Sequence, residues 1–211
     1  MKEVIREPNS AILKSFLSDK HEIRCFEEEL DRDLLKRFYS DGKRWAFAAQ
    51  MYFFTVRLKT QDRINMFNGI AIEDRTIFED RAIFGKTNFE QGNMHELEYT
   101  VYSQAFEQWI TRIKPPTLLV YLAVNDIQVL LNRINKRGRA EEKSISSEYL
   151  QGLNNNYDAF YANYPFPKMV INASEDMDDS GRFHHEAFKK IAEKLEEMGF
   201  RKKHIEQQYL F

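Results

Sequence analysis

The chain has 211 residues, of which 43% are hydrophobic and 30% are charged, and its net charge is −2 at pH 7. This length and composition suit one domain with a sizeable core. Binding to nucleic-acid phosphates needs a basic surplus, so the charge balance argues against a general nucleic-acid binder. No apolar run approaches the roughly 18 residues of a membrane span, and the first residues lack the apolar core of a signal peptide. With Cys25 as the single cysteine, neither a disulfide framework nor a cysteine metal site is expected, and the predicted location is cytoplasmic.

The amino-terminal part is predicted to be a short strand followed by helices. Glu3–Glu7 has a strand-like pattern that Pro8 ends, and residues 9–39 are predicted to be mostly helical. Asp41-Gly42 predicts a break in the chain. Residues 43–66 then have the apolar spacing of one long helix.

A short apolar strand that runs directly into charged residues is the first candidate for a site. Gly69–Glu73 is predicted to be a buried strand, Asp74-Arg75 follows it, and a helix is predicted from Thr76 to about Phe84. In open α/β sheets, ligands bind at the carboxyl ends of the strands, so a ligand site is expected at Asp74-Arg75. A solvated strand end is the alternative that this stretch alone leaves open.

The next two elements are predicted to pack into the core. His95–Ile113 is a predicted helix, and its buried side is predicted to carry Leu97, Val101, Phe106 and Trp109. Thr117–Ala123 is a continuous apolar run, which is typical of a strand buried on both faces of a parallel sheet.

The remaining pattern continues the alternation of strands and helices. The predicted elements are a helix from Ile127 to about Lys136, a helix capped by Ser146 that runs to about Tyr161, a strand at Met169–Asn172, and a helix from about His184 to Met198. Strands that alternate with helices predict an α/β fold with a parallel sheet.

Three arginines near the end of one predicted helix form a second candidate site. Arg133 and Arg137 are four residues apart and therefore share a helix face, and Arg139 follows Gly138, where the chain can fold back. Three converging guanidinium groups without a full set of acidic partners would form a clamp for a polyphosphate. The alternative is a solvated, charged helix end.

An ordered set of motifs in this chain resembles the deoxynucleoside kinase family. The set comprises Trp45-Ala-Phe-Ala-Ala-Gln50, then Arg57, then Asp74-Arg75-Thr76 with Asp80, and Arg133-x-x-x-Arg137-Gly-Arg139-x-Glu-Glu142. No single motif is specific, but their order and spacing are similar to the branch that acts on deoxyadenosine, deoxyguanosine and deoxycytidine. The resemblance implies an α/β fold of the P-loop-kinase type, with a parallel sheet flanked by helices, in a single domain spanning residues 1–211.

The same resemblance implies a nucleoside site. Glu7 would act as the general base on the nucleoside 5′-hydroxyl, Arg75 would hold that oxygen, and Asp74 would lie near a metal ion. The positions that match nucleoside-binding residues are Gln50 for the base edge, Arg57 and Asp80 for a polar pair that orders the base pocket, Phe84 for stacking on the base, and Tyr39 and Glu142 for the sugar 3′-hydroxyl.

The resemblance also implies the donor and a partner. ATP would be the phosphoryl donor, and Mg²⁺ would accompany it. Phosphoryl transfer depends on positioning and on stabilisation of charge, to which a metal ion contributes. The matching donor-side residues are Arg133, Arg137 and Arg139 as a lid over the phosphates, and Glu175, Asp176 and Met177 as a loop that reads the adenine. The long helices at 43–66 and 95–113 have more apolar surface than one small sheet needs, which agrees with the homodimer that the resemblance implies.

One expected motif is missing from the sequence. Such kinases carry a phosphate loop, G-x-x-x-x-G-K-[ST], between their first strand and first helix, and none of the eight glycines here belongs to one. The chain is expected to begin at the family's second strand, with the first strand and the loop upstream of Met1.

Two hypotheses therefore stand. The protein is a kinase whose amino-terminal part is outside this sequence, which the presence of Glu7, Arg75 and the three lid arginines favours. Alternatively, it is a non-catalytic, P-loop-less subunit that binds nucleoside or another protein. A nucleic-acid-binding domain built on residues 133–139 is disfavoured by the acidic balance.

Overall fold

The computed structural model describes residues 22–174 and 182–199. Its first elements are strand β1 (Ile23–Phe26), helix α1 (Arg32–Ser40), helix α2 (Gly42–Asn65) and strand β2 (Ile70–Glu73). The predicted break between the first two helices is confirmed, because Asp41 ends one and begins the other. Its backbone N–H donates to the Arg37 carbonyl at 2.9 Å, and its side chain accepts from the Arg44 N–H at 3.2 Å.

The helical prediction for residues 9–39 is wrong at β1. This run pairs in parallel with β2, with Ile23 opposite Ile70 and Phe26 opposite Glu73. Ile23 and Phe26 are buried, so the contacts that fix this segment come from a distant part of the chain rather than from its own helical periodicity. Helix α1 begins only at Asp31, whose carboxylate accepts from the Leu34 N–H at 2.9 Å. The predicted strand at Glu3–Glu7 and residues 9–21 lie outside the described residues.

The segment after β2 is helical but changes its winding. Thr76 caps helix α3 (Ile77–Glu79), a π-helical turn spans Asp80–Gly85, and helix α4 (Lys86–Glu90) completes the segment. The predicted helix start at Thr76 is thus confirmed, and the helical segment extends beyond Phe84. Wide turns of this kind are frequent at functional sites.

The second half of the described chain follows the predicted order of elements. These are α5 (Glu96–Ile110), β3 (Leu119–Ala123), α6 (Ile127–Arg137), a 3₁₀ turn (Ala140–Glu142), α7 (Ser147–Asn163), β4 (Lys168–Asn172) and α8 (Arg182–Glu197). Strand β3 pairs in parallel with β4. Ser146 caps α7 as predicted, because its hydroxyl accepts from the Tyr149 N–H at 3.1 Å.

The orientation of α5 differs from the prediction. Leu97, Val101 and Trp109 are 67%, 46% and 44% exposed, respectively. Phe106 faces the core as predicted, and Tyr102, which was not predicted to do so, is also buried. Helix α5 packs on α2 through the Tyr102 side, where Tyr102 and Phe106 meet the Phe54 ring. Helix α5 therefore has two apolar faces. The face with Tyr102 and Phe106 is covered by α2, and the face with Leu97 and Val101 is exposed.

The described strands form two separate two-stranded parallel sheets, β1–β2 and β3–β4. Helix α8 covers the first sheet through Phe188 and Ala192, which pack with Ile23 and the β2 isoleucines. The prediction that β3 is buried on both faces is only partly met, since Leu119 is buried and the four residues that follow are half-buried. The α/β class with parallel strands is confirmed. No helix in the described ranges is both long enough and apolar enough to cross a membrane.

Candidate active site

Charged side chains from two strands converge where β1 and β2 end. The strands are parallel, so their carboxyl ends lie at the same edge, and the Asp74 N–H extends the ladder by donating to the Phe26 carbonyl at 3.3 Å. Glu28 follows β1 by two residues, and Arg75 follows β2 by two residues. Arg75 Nη2 lies 3.3 Å from Glu28 Oε1. The edge that the sequence predicted as a ligand site is thus where a buried carboxylate meets a partly buried guanidinium.

Helix α2 brings a second arginine to the same carboxylate. Arg57 is 2% exposed; its Nη2 donates to Glu28 Oε1 at 2.5 Å, and its Nε lies 3.3 Å from Asp80 Oδ1. The predicted Arg57–Asp80 pair is therefore present. Gln50 is also buried and precedes Arg57 by two helical turns, so both side chains are on the same face of α2.

Unsatisfied polar atoms concentrate at this cluster. Both carboxylate oxygens of Asp80, Nε of Arg57 and Nε of Arg75 are buried and have no hydrogen-bond partner among the described residues, although the ion pairs bring opposite charges close. Leaving one such group unpaired costs about 1–3 kcal/mol. Burial raises the pKa of Asp80 to about 6, although the Arg57 guanidinium acts to lower it. These buried polar atoms are groups with which a polar ligand could form hydrogen bonds.

Arg75 has an unusual backbone conformation. Its φ of 66° is the one positive φ among the non-glycine residues of the described chain. This region is sparsely populated, and strain of this kind clusters at functional sites. The guanidinium carbon lies 3.8 Å from the centre of the Phe84 ring. One face of the ring that the resemblance assigns to the nucleoside base is therefore covered by Arg75.

Three carboxylates of this region are not marked by any motif in the sequence. Glu28 is one. Glu73 accepts a hydrogen bond from Gln61 Nε2 at 2.8 Å, and burial raises its pKa to about 7. Burial also raises the pKa of Glu79 to about 8, against the opposing effects of Arg75 and Arg57. The only sequence signal for Glu28 is its place in an acidic run after a short apolar segment, and Glu79 is marked only by its position beside Asp80.

The predicted sugar-site residues Tyr39 and Glu142 lie in one region. The Tyr39 ring packs on those of Phe38 and Tyr149, at centroid distances of 5.0 and 6.5 Å. Burial raises the pKa of Tyr39 to about 12, with Arg75 acting to lower it and Glu142 acting to raise it. The Ser144 hydroxyl donates to the Tyr39 carbonyl at 3.1 Å, which ties the turn around Glu142 to the end of α1.

Two of the three predicted lid arginines are held by Glu142. Its Oε2 accepts from Arg137 Nε at 3.0 Å and from Arg137 Nη2 at 2.6 Å. Its Oε1 accepts from Arg139 Nη1 at 3.3 Å. Arg133 lies one turn earlier on α6. The sequence pattern predicts guanidinium groups without a full set of acidic partners, whereas in the structure Arg137 and Arg139 share the Glu142 carboxylate.

Other predicted positions fall outside the site or outside the described residues. Glu7 and the loop Glu175–Met177 lie outside the described residues. The sequence contains one Gly-Lys-Thr tripeptide, Gly85–Thr87, but it lacks the glycine that opens a phosphate loop. Its Lys86 lies 3.5 Å from Glu90, and its Thr87 hydroxyl accepts from Asn156 Nδ2 at 2.9 Å. This tripeptide therefore has a structural role at the junction with α7.

A metal ion held by Asp74 would have to bring most of its own ligands. Within residues 22–174 and 182–199, no group of three or more His, Cys, Asp and Glu side chains is placed to hold a metal ion. Mg²⁺ commonly keeps several waters and takes only one or two protein carboxylates together with substrate phosphates. One carboxylate at the end of β2 meets that requirement.

Comparison with known proteins extends the geometric argument. The family model described as deoxynucleoside kinase matches residues 9–198 of this chain. The chain is 34% identical over 154 residues to a deoxyadenosine/deoxycytidine kinase of Bacillus subtilis (strain 168), covering 72% of this chain and 70% of that enzyme. It is 35% identical over 155 residues to a deoxyadenosine kinase of Dictyostelium discoideum, covering 72% of this chain and 62% of that enzyme.

A solved structure gives the same result for the fold. The deoxyadenosine kinase from M. mycoides with bound dATP has a TM-score of 0.72 and 28% identity to this protein, covering 90% of this chain and 94% of that one. That enzyme has the P-loop kinase fold. Because the family model spans most of the chain and the ordered sequence motifs agree with it, this chain belongs to the deoxynucleoside kinase family.

Proposed function

We propose that the cluster at the ends of β1 and β2 binds a purine deoxynucleoside or deoxycytidine, and that the protein transfers the γ-phosphoryl group of ATP to its 5′-hydroxyl. The observation that carries the substrate class is the buried Asp80 carboxylate, whose Oδ1 forms an ion pair with Arg57 Nε at 3.3 Å while neither of its oxygens accepts a hydrogen bond from the described residues. Adenine, guanine and cytosine each have an exocyclic amino donor, and thymine has none. Together with the Gln50 amide, this carboxylate favours amino-bearing bases, because a mismatched base would leave buried polar groups unpaired.

The proposed chemistry uses Glu28 and Arg75. Glu28 accepts the proton of the 5′-hydroxyl as that oxygen bonds to the γ-phosphorus and the bond to the ADP oxygen breaks. Arg75 holds the 5′-oxygen and stabilises the negative charge that develops on the transferred group. The resemblance assigned the base to Glu7, but Glu28 is the carboxylate 3.3 Å from Arg75. We therefore place this role on Glu28.

The proposed binding site for ATP and Mg²⁺ is based on the arginines of α6 and on the family resemblance. Arg133, Arg137 and Arg139 would contact the ATP phosphates, since guanidinium groups bind phosphate oxygens in bidentate fashion. Asp74 would hold Mg²⁺ together with those phosphates, and the ion would offset phosphate charge. The role of Glu175, Asp176 and Met177 in reading the donor adenine stays a prediction.

The remaining nucleoside contacts are proposed from the positions of the side chains. Tyr39 and Glu142 would bind the sugar 3′-hydroxyl, which their mutual electrostatic influence supports. Phe84 would stack on the base once Arg75 moves off its ring. We further propose a homodimer formed through the exposed side of α5, where Leu97 and Val101 are four residues apart. The cytoplasmic location stays a prediction.

The test is a pair of assays on the purified protein. Melting temperature is followed with deoxyadenosine, deoxyguanosine, deoxycytidine and thymidine, and phosphorylation is measured with Mg²⁺ and ATP. We expect stabilisation and turnover with at least one amino-bearing nucleoside and neither with thymidine. Glu28→Gln should lower kcat by about 10²- to 10⁴-fold, the usual contribution of a general base, and Arg75→Ala should also lower it. Both variants should retain stabilisation by nucleoside.

Glu7→Gln is the matched control for the base assignment. It should keep activity within about twofold, whereas a loss equal to that of Glu28→Gln would return the base to Glu7. Stabilisation by nucleosides without any turnover would support the non-catalytic alternative. A folded chain that no deoxynucleoside stabilises would overturn the proposed function.

A further inference from the structure

The carboxylate of Glu142 is almost fully engaged by two donor-side arginines. It accepts from Arg137 at 3.0 and 2.6 Å through one oxygen and from Arg139 at 3.3 Å through the other. A carboxylate offers about four lone-pair positions, so three of them are used. The Glu142 side chain is 12% exposed, so little of this pairing is replaced by water.

The turn that carries Glu142 is also held by contacts that do not involve these two arginine side chains. Ser144 donates to the Tyr39 carbonyl at 3.1 Å, and Glu141 lies 3.9 Å from Arg32 of α1. The Arg137 and Arg139 side chains are 29% and 22% exposed, on either side of Gly138 with its φ of 65°. The two arginines can therefore move away from Glu142 while the carboxylate stays beside Tyr39.

We propose that Glu142 couples the two substrates, because the same carboxylate serves the sugar 3′-hydroxyl and restrains the arginines that bind donor phosphates. This inference rests on the proposed function. Phosphates that draw Arg137 and Arg139 away leave Glu142 with unpaired oxygens in a poorly hydrated place, and the 3′-hydroxyl then gains a stronger acceptor. Donor binding thus tightens nucleoside binding, and by thermodynamic linkage the nucleoside tightens donor binding by the same factor.

Removal of the two arginines should imitate the donor. Calorimetric titrations with deoxyadenosine and with 2′,3′-dideoxyadenosine compare the wild-type protein with Arg137→Gln/Arg139→Gln. The double variant should bind deoxyadenosine about fivefold more tightly, which is the low end of typical coupling factors. Its affinity for the dideoxynucleoside, which has no 3′-hydroxyl, should be unchanged. Adding Glu142→Gln to the double variant should abolish the gain.

Arg32→Gln is the matched control. It removes an arginine of α1 that pairs with Glu141, the neighbour of Glu142 in the turn, and it leaves Glu142 paired with Arg137 and Arg139. It should change neither affinity. A double variant that binds deoxyadenosine no more tightly, or that tightens both nucleosides equally, would overturn the coupling. Wild-type protein that binds both nucleosides equally would also overturn it while leaving the nucleoside site in place. Wild-type protein that binds neither would reject the proposed function itself.

A second experiment uses only the wild-type protein and therefore tests the coupling even if the double variant does not fold. Deoxyadenosine and dideoxyadenosine are titrated with and without saturating Mg²⁺ and ADP. The nucleotide should raise the affinity for deoxyadenosine about fivefold and leave that for dideoxyadenosine unchanged. An equal effect on both nucleosides, or no effect, contradicts the inference.

Discussion

Arg57 is the cation around which the buried carboxylates of the candidate active site are arranged. It contacts Glu28 and Asp80 directly, and it acts to lower the pKa of Asp80, Glu73 and Glu79, which burial raises. Such clusters are held together by mutual neutralisation rather than by hydration. A cation that is nearly inaccessible to water therefore has a structural role, in addition to the base-pocket role proposed above.

Loss of Arg57 should be far more costly than loss of an exposed arginine on the same helix. Arg57→Met leaves Glu28 and Asp80 buried without this partner and should reduce the free energy of unfolding by about 3–5 kcal/mol. Arg63 is the control, because its pair with Glu29 at 3.2 Å is largely exposed; Arg63→Met should cost less than about 1 kcal/mol. Urea denaturation measures both, and equal losses would show that the Arg57 pairs contribute no more than surface pairs.

Glu79 should make the protein less stable as the pH rises. Its pKa is raised from 4.5 to about 8 in the folded protein, so the folded state binds this proton more tightly than the unfolded state does. The stabilising contribution is complete below the unfolded pKa and is lost as the pH rises through the folded pKa. Glu79→Gln removes this titration and should flatten the decline of stability between about pH 6 and 8, by up to about 1.4 kcal/mol per pH unit.

The pH experiment needs a control for charge alone. Glu73 and Asp80, with pKa values raised to about 7 and about 6, give a decline of the same sign, so some slope should remain in Glu79→Gln. Glu96→Gln, at an exposed position of α5, should leave the wild-type slope unchanged. Denaturation curves at several pH values test this, and an unchanged slope in Glu79→Gln would contradict it.

At the scale of elements, the π-helical turn Asp80–Gly85 links the proposed base pocket to the core. It carries Asp80 at its start and Phe84 near its end, and both contact the arginines of the site. Gly85 closes the turn where a side chain would collide, because an added Cβ would lie 2.6 Å from the buried Tyr102 ring. The close approach of this turn to α5 therefore requires a glycine.

Gly85→Ala should destabilise the protein, and Gly152→Ala should not. Overpacking against Tyr102 costs about 1–3 kcal/mol, because a ring at 0% exposure has little space to move. At Gly152, in helix α7, an added Cβ meets the end of the Gln91 side chain at 2.9 Å and the methyl group of the buried Thr87 at 3.1 Å. The Gln91 side chain can move, Thr87 has to shift only by a few tenths of an ångström, and the higher helix propensity of alanine offsets these contacts, so stability should stay within about 1 kcal/mol. Similar losses in the two variants would contradict the packing argument.

At the scale of the whole molecule, the exposed side of α5 presents three large apolar side chains to solvent, Leu97, Val101 and Trp109. Leu97→Glu/Val101→Glu should convert the proposed dimer to a monomer, since two buried carboxylates at an interface are strongly unfavourable. Light scattering on the wild-type protein and on the variant measures the change, and Gln151→Glu at an exposed position of α7 tests whether added charge alone has an effect. A wild-type protein that is monomeric at micromolar concentration would reject the dimer.

Two parts of the site could be predicted from sequence, each by a different route. Asp74-Arg75 was identified because a strand pattern runs directly into charge, and the Arg57–Asp80 pair was identified from the family resemblance; the structure places Arg57 beside Asp80 and Arg75 beside Glu28. Glu28 was not identified, because an acidic run after a short apolar segment resembles any solvated turn. The adjacent pair Glu7-Pro8 matched the family pattern more closely, although the structure places Glu28 beside Arg75. Which carboxylate joins Arg75 depends on which strand pairs with β2.

The sequence by itself determined the local features of this protein. Helix α2, the caps at Asp41 and Ser146, and the parallel α/β class follow from periodicity and capping groups that act over a few residues. Only the tertiary structure decided the pairing of β1 with β2, the exposure of Leu97 and Val101, and the contact of Arg57 with Glu28, which lies 29 residues away. Local patterns record hydrogen bonds and apolar faces within one element. Burial and charge pairing arise between elements, so they are fixed only when the whole chain packs.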